Sequence, residues 1–195
     1  MRGLPFPIPL PVCGESLGEG AAFRGYPALV DRARLLIETL GMQAHPERGY
    51  YVETYRSPFA VTGQAGAARA ASTAIYFLVT REQPTTYLHR LLSDELFHLY
   101  EGGPLDVLLL GEGAGDVKRL GTDVLAGERP QLVIRAGAWF AVELAPGASH
   151  CLFGCTVAPG FDFADFELSA GPELAARYPA HAARIARMTR PAHSG

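Results

Sequence analysis

Residues 89–102 read His89-Arg90-Leu91-Leu92-Ser93-Asp94-Glu95-Leu96-Phe97-His98-Leu99-Tyr100-Glu101-Gly102. The stretch joins period-two patterning, the mark of a β-strand, to an imidazole, a carboxylate and a closing glycine. On a strand His89 and Leu91 share the inward face, and a hairpin brings Glu95 back beside them from the next strand. A carboxylate next to an imidazole can orient it and raise its pKa. That assigns His89 as a candidate base and Glu95 as its orienter. The alternative is a satisfied buried pair with no chemistry. Simple alternation turns His98 to the opposite face.

Outward from this stretch the chain keeps a β rhythm. Short runs at Tyr50–Tyr55, Ser72–Val79, Leu96–Tyr100, Leu105–Leu110, Gln131–Ile134, Ala138–Leu144, Cys151–Val157 and Phe161–Leu168 are separated by Gly, Pro and Asp turns. This spacing predicts an all-β sandwich or barrel over 48–168. Leu29, Val30, Ala33, Leu36, Ile37 and Leu40 recur at helical spacing and stop at Gly41, which predicts a helix over 27–42. A second apolar stripe predicts a helix over 172–190. Residues 1–26, rich in Pro and Gly, read as an extended arm, and 27–190 as a single domain.

Composition narrows the partners. The chain has 195 residues and a net charge of −3. That argues against a nucleic-acid partner, which calls for a basic patch. No apolar run is long enough to span a membrane. Three cysteines are an odd number with no disulfide framework, so a reducing, cytoplasmic location is expected.

The 89–102 stretch resembles the first motif of the cupin superfamily. There a His is followed two residues on by a second His, then by a Glu and, seven residues later, a Gly. His89, Glu95 and Gly102 fall in register, with Leu91 where the second His would stand. Arg135-Ala136-Gly137-Ala138-Trp139-Phe140 resembles the second motif, with Phe140 in the place of its His ligand. A narrower resemblance, to cupin family five, rests on four runs. They are His45 to Ser57, Ser72 to Leu78, His89 to Gly102 and Gly154 to Leu168. Arg48 stands where that family has a second Gly. The resemblance implies a double-stranded β-helix, or jelly-roll barrel, with flanking helices, often dimeric and similar to the sugar-nucleotide epimerase type of cupin. It implies no firm reaction. With Leu91 and Phe140 unable to coordinate, the metal set shrinks to His89 and Glu95, so no metal and no cofactor is expected.

The remaining candidates follow from alternation and residue type. Tyr51, Glu53 and Tyr55 lie on one strand face and are expected to line the interior. Tyr76 joins them from a neighbouring strand as a candidate proton donor. Arg56 and Arg90 are candidate ligands for a phosphate or carboxylate, with surface salt bridging as the alternative, and Phe97 and Phe140 supply apolar wall. Asp162 and Asp165 read as structural, and His45 as a backbone partner at its junction. The expected protein is a homodimer that binds a small polar molecule in its barrel. It acts as a metal-independent isomerase or epimerase on a carbohydrate-like ligand. The alternatives are a non-catalytic ligand-binding or sensor cupin and a metal-dependent oxygenase.

Overall fold

The structure, a computed structural model, describes residues 31–169 and 171–191. The expected arm over 1–26, and the start of the first helix, lie outside them. That helix, α1, runs Arg32–Leu40. Asp31 caps its start by accepting from the Ala33 N–H at 3.1 Å, and Gly41 ends it in the left-handed region.

Thirteen strands follow among the described residues. A six-stranded sheet contains β1 (Gln43–Ala44), β2 (Tyr50–Arg56), β5 (Thr73–Thr80), β12 (His150–Ala158), β7 (Asp94–Gly102) and β10 (Gln131–Ile134), in that spatial order. Facing it is a five-stranded sheet of β13 (Phe166–Leu168), β6 (His89–Leu91), β11 (Trp139–Leu144), β8 (Leu105–Leu110) and β9 (Asp116–Leu120). A small hairpin, β3 (Ala60–Thr62) with β4 (Ala68–Ala70), stands apart. The two sheets bury one apolar interior between them. Phe77, Phe97 and Phe153 come from one side, and Val107, Phe140 and Val142 from the other.

Three sequence expectations change. His89 and Glu95 are not hairpin neighbours. β6 and β7 belong to different sheets, because the chain crosses between sheets at Leu92-Ser93, so Glu95 reaches the interior from the opposite wall. The run from Phe161 is strand only at Phe166–Leu168, since Asp162 accepts from the Ala164 N–H and opens a 3-10 turn, Phe163–Asp165. The last helix is broken into α2 (Pro172–Arg177), a 3-10 turn (Pro179–His181) and α3 (Ala182–Arg187). Pro179 offers no N–H to continue α2. Leu174, Tyr178, Ile185 and Met188 still pack as one face, against Leu88, Leu108 and Leu110. Among the described residues no helix is long and apolar enough to cross a membrane.

A tight turn over 45–49 joins β1 to β2. The Arg48 N–H donates to the His45 carbonyl, and the His45 N–H donates to the Gly49 carbonyl, both at 3.0 Å. Arg48 takes φ 76° and Gly49 φ 77°. Arg48 holds this left-handed conformation with its guanidinium over the Tyr87 ring, 4.4 Å from the centroid, and a hydrogen bond to Thr85 at 3.1 Å. Gly49 has no such latitude. A Cβ there would lie 2.6 Å from Phe77 Cε1 and 2.9 Å from the Leu78 carbonyl oxygen.

Gly49→Ala should therefore cost roughly 3 kcal/mol of folding stability, from overpacking plus backbone strain. Urea denaturation with an unchanged slope should read this as a lower midpoint. An unshifted midpoint would mean that the turn yields freely.

Candidate functional site

The turn at 45–49 carries a residue that alternation could not rank. Glu47 is buried at its tip, and its Oε2 lies 2.9 Å from His89 Nε2. The other imidazole nitrogen, Nδ1, is 2.8 Å from the Tyr87 carbonyl. A carbonyl only accepts, so Nδ1 carries a proton and Nε2 faces the carboxylate. Burial opposes charge on both groups. For His89, the Glu47 carboxylate and the hydrogen bonds outweigh burial and raise the pKa. For Glu47, burial is outweighed by His89 and His45, and its pKa falls. Both shifts describe a buried imidazolium–carboxylate pair. The orienter of His89 is thus Glu47, and neither ring nitrogen of His89 is left free.

Glu95 is the third member. It is 7% exposed, and its Oε2 has no hydrogen-bond partner among the described residues. Burial pushes its pKa up to about 7, with His89 pulling down, Glu47 pushing up and a hydrogen bond from the Cys155 thiol pulling down. The same burial, with the two carboxylates nearby, drives the Cys155 thiol well above its ordinary pKa. Near neutrality Glu95 is therefore poised between acid and carboxylate. His45 completes the cluster. Its Nδ1 accepts from the Glu47 N–H at 3.3 Å, which leaves the proton on Nε2. Burial is the main cause that lowers its pKa, so the ring is neutral.

Two chambers open onto these groups. The inner one, about 30 Å³, is lined by Glu47, His89, Leu91, Glu95, Phe97 and Phe140 among others. That is room for a water molecule. The outer one, about 360 Å³, is lined by Tyr51, Glu53, Arg56, Asp162 and Phe163 among others. His45, Ile75, Glu95 and Cys155 line both.

The sequence candidates divide accordingly. His89, Glu95, Phe97 and Phe140 meet in the inner chamber, where Phe140 pairs in register with His89 and the ring centroids stand 4.0 Å apart. Tyr51 and Glu53 face the outer chamber. Tyr55 does not; it is 51% exposed. A bulge between Glu53 and Tyr55 breaks the alternation and turns Arg56 inward in its stead. Tyr76 also fails to join. It pairs with Gly154 and Val52 on the outer face, under α1 and against the Tyr100 ring. Arg90 lies outside as well, hydrogen-bonded to Glu167 and stacked over Trp139. His98 occupies the outer face beside Gln131 and Thr156, as alternation predicts. Asp165 is structural, joined by two 2.7 Å hydrogen bonds to Arg69.

The donors do not suit a cation. Both nitrogens of His89 are engaged, Leu91 and Phe140 stand at the motif positions, and no group of three or more His, Cys, Asp or Glu among the described residues is arranged to hold a metal. Sequence reasoning missed Glu47 and underrated His45. The available signal was the His45-Pro46-Glu47 triplet placed directly before Arg48-Gly49, a turn that returns the chain into the barrel.

Comparison with known proteins agrees with this architecture. The family model described as Cupin superfamily (DUF985) matches residues 34–169. An uncharacterised protein of Saccharomyces cerevisiae is 31% identical over 151 residues, covering 71% of this chain and 75% of that protein. The solved structure of a hypothetical protein from Leishmania major superposes with a TM-score of 0.75 at 35% identity, covering 82% of this chain and 99% of that one. A Shewanella oneidensis protein gives a TM-score of 0.74 at 35% identity, with 82% and 98% covered. With its two facing sheets, its flanking helices and a match over most of its length, the chain belongs to the DUF985 family of the cupin superfamily.

Proposed function

We propose that the barrel binds a small polar, carbohydrate-like molecule and moves a proton within it, as an isomerase or epimerase does. One observation carries the reading. A buried carboxyl with an unpartnered oxygen, held near pH 7, opens onto a cavity of ligand size. A group with its pKa at the working pH is the most effective proton carrier. Glu95 as carboxylate would take the proton next to a ligand carbonyl, with the electron pair moving onto that oxygen to give an enediolate. The Nε2–H of His45, or the Tyr51 hydroxyl, would donate a proton back to carbon. The step is redox-neutral. The Glu47–His89 pair does not touch the ligand in this scheme; it fixes the charge beside Glu95. A non-catalytic binding protein would have the same cavity and no proton exchange.

We further infer a homodimer in a reducing cytoplasm. Cys151 and Cys155 are both free and buried. The sheets end at β1, β10, β13 and β9, and open edges need cover.

Three outcomes are expected. First, Glu95→Gln should slow exchange of the carbon-bound hydrogen of a turned-over ligand by about 10²–10⁴. The wild-type rate should rise with pH through about 7, where Glu95 ionises. Deuterium incorporation followed by NMR reads both. Equal exchange in the two proteins would remove Glu95 from the chemistry. Second, stability carries the same signature. A raised carboxyl pKa means that the folded state holds its proton more tightly, so stability is lost as pH climbs from 4.5 to about 7. Glu95→Gln removes that loss. Its stability relative to wild type should grow by up to about 3 kcal/mol between about pH 4 and about pH 8. A difference flat with pH would mean an ordinary Glu95. Third, sedimentation at micromolar concentration should give a dimer, and monomer alone would count against the assembly.

A further inference from the structure

Resting on that reading of the cavity, we infer that its ligand is a hydroxyl-rich molecule without phosphate or carboxylate, and that an amino group on it is favoured at the mouth. Among the described residues lining the outer chamber, Arg56 is the lone arginine or lysine. Its guanidinium is already engaged. Nε and Nη2 donate to the two oxygens of Glu53 at 2.9 and 2.6 Å, and Nη1 donates to the Phe161 carbonyl at 3.3 Å. Such a two-pronged contact is the geometry that a ligand phosphate or carboxylate would itself need. To gain it, the anion would have to displace Glu53 and leave that carboxylate beside it.

The other charges point the same way. Glu53, Asp162 and Glu95 all line the chamber against the single paired cation. Asp162 spends one oxygen on the Ala164 N–H, at 2.9 Å. Deeper in, Glu47 and His89 cancel one another at 2.9 Å. His45, on the shared wall, is neutral because burial disfavours its charge. The mouth thus has a net negative field, which repels anions and draws cations. Its lining includes the aromatic residues Tyr51, Phe161 and Phe163, and aromatic rings stack on the C–H surface of a sugar ring and attract an organic cation. A chamber of about 360 Å³ accepts a molecule of monosaccharide size.

The test uses three probes on one skeleton with the full chain. Glucose, glucosamine and glucose 6-phosphate are titrated by ligand-observed NMR near neutral pH and low salt. Glucosamine should bind most tightly, then glucose, with the phosphate at least about tenfold weaker than glucose. Asp162→Asn should weaken glucosamine more than glucose. Glu53→Gln, which releases Arg56, should strengthen the phosphate by about fivefold or more and shift the phosphate-to-glucose affinity ratio in the same direction. Glucose 6-phosphate binding wild type as well as glucose does would overturn the inference. So would silence from all three at tens of millimolar. Failure of the isomerase reading is separable: it would show as absent proton exchange with this order of affinities intact.

Discussion

A buried salt bridge, Glu47 to His89 at 2.9 Å, is the contact on which the rest of the barrel is arranged. Two isolated charges at that depth would be untenable, because each has given up its water. Their attraction is sufficient only when the leftover donors and acceptors are matched as well. Here they are. His89 Nδ1 donates to the Tyr87 carbonyl, the Tyr87 N–H donates to the Glu47 carbonyl, and the Glu47 N–H donates to His45. The loop of bonds closes on itself. It ties the turn before β2, in one sheet, to the segment leading into β6, in the other. Loss of either charged partner would leave its mate buried and alone, a cost of about 3–5 kcal/mol.

The pairing also decides what Glu95 becomes. Glu47 and His89 act on it with opposite signs, and burial is the largest influence left. A carboxyl in such a place keeps its proton until near neutrality. Had Glu95 been the partner of His89, its pKa would have fallen and it would have been a fixed anion. Because Glu47 takes that role from the turn, Glu95 stays ambivalent, with its Oε2 unpartnered among the described residues. A fixed ion pair and a carboxyl that keeps its proton to near neutrality are thus two results of one arrangement of three side chains.

Much of the fold was legible because period-two patterning is a direct consequence of the pleat. Leu105–Leu110 and Gln131–Ile134 occur as the pattern predicts. Motif spacing likewise brought His89, Glu95 and Phe140 to one chamber. What was not legible depends on breaks in the pattern. The bulge after Glu53 exchanges Tyr55 for Arg56, and no single residue type announces a bulge. Alternation along β5 is right, yet it cannot say which face is inner, and Tyr76 faces α1. Glu47 lies in a turn, where periodicity has no meaning and position is set by two successive left-handed residues.

The substitutions at 91 and 140 give this interior its logic. In the motif that the chain resembles, imidazoles stand at those places and a cation balances the carboxylate. Here Leu91 and the Phe140 ring fill them, Phe140 lying against His89 at a centroid distance of 4.0 Å. Two carboxylates, Glu47 and Glu95, are still buried there. They must be neutralised by what the chain itself supplies. An imidazolium neutralises one and a proton neutralises the other. The proton is the labile one, since Glu95 lines the outer chamber and its pKa is pushed up to about 7. A barrel that gives up metal donors in this way need not give up chemistry. On the function proposed above, a Brønsted acid, Glu95, would stand at nearly the same point of the fold at which the motif holds a Lewis acid.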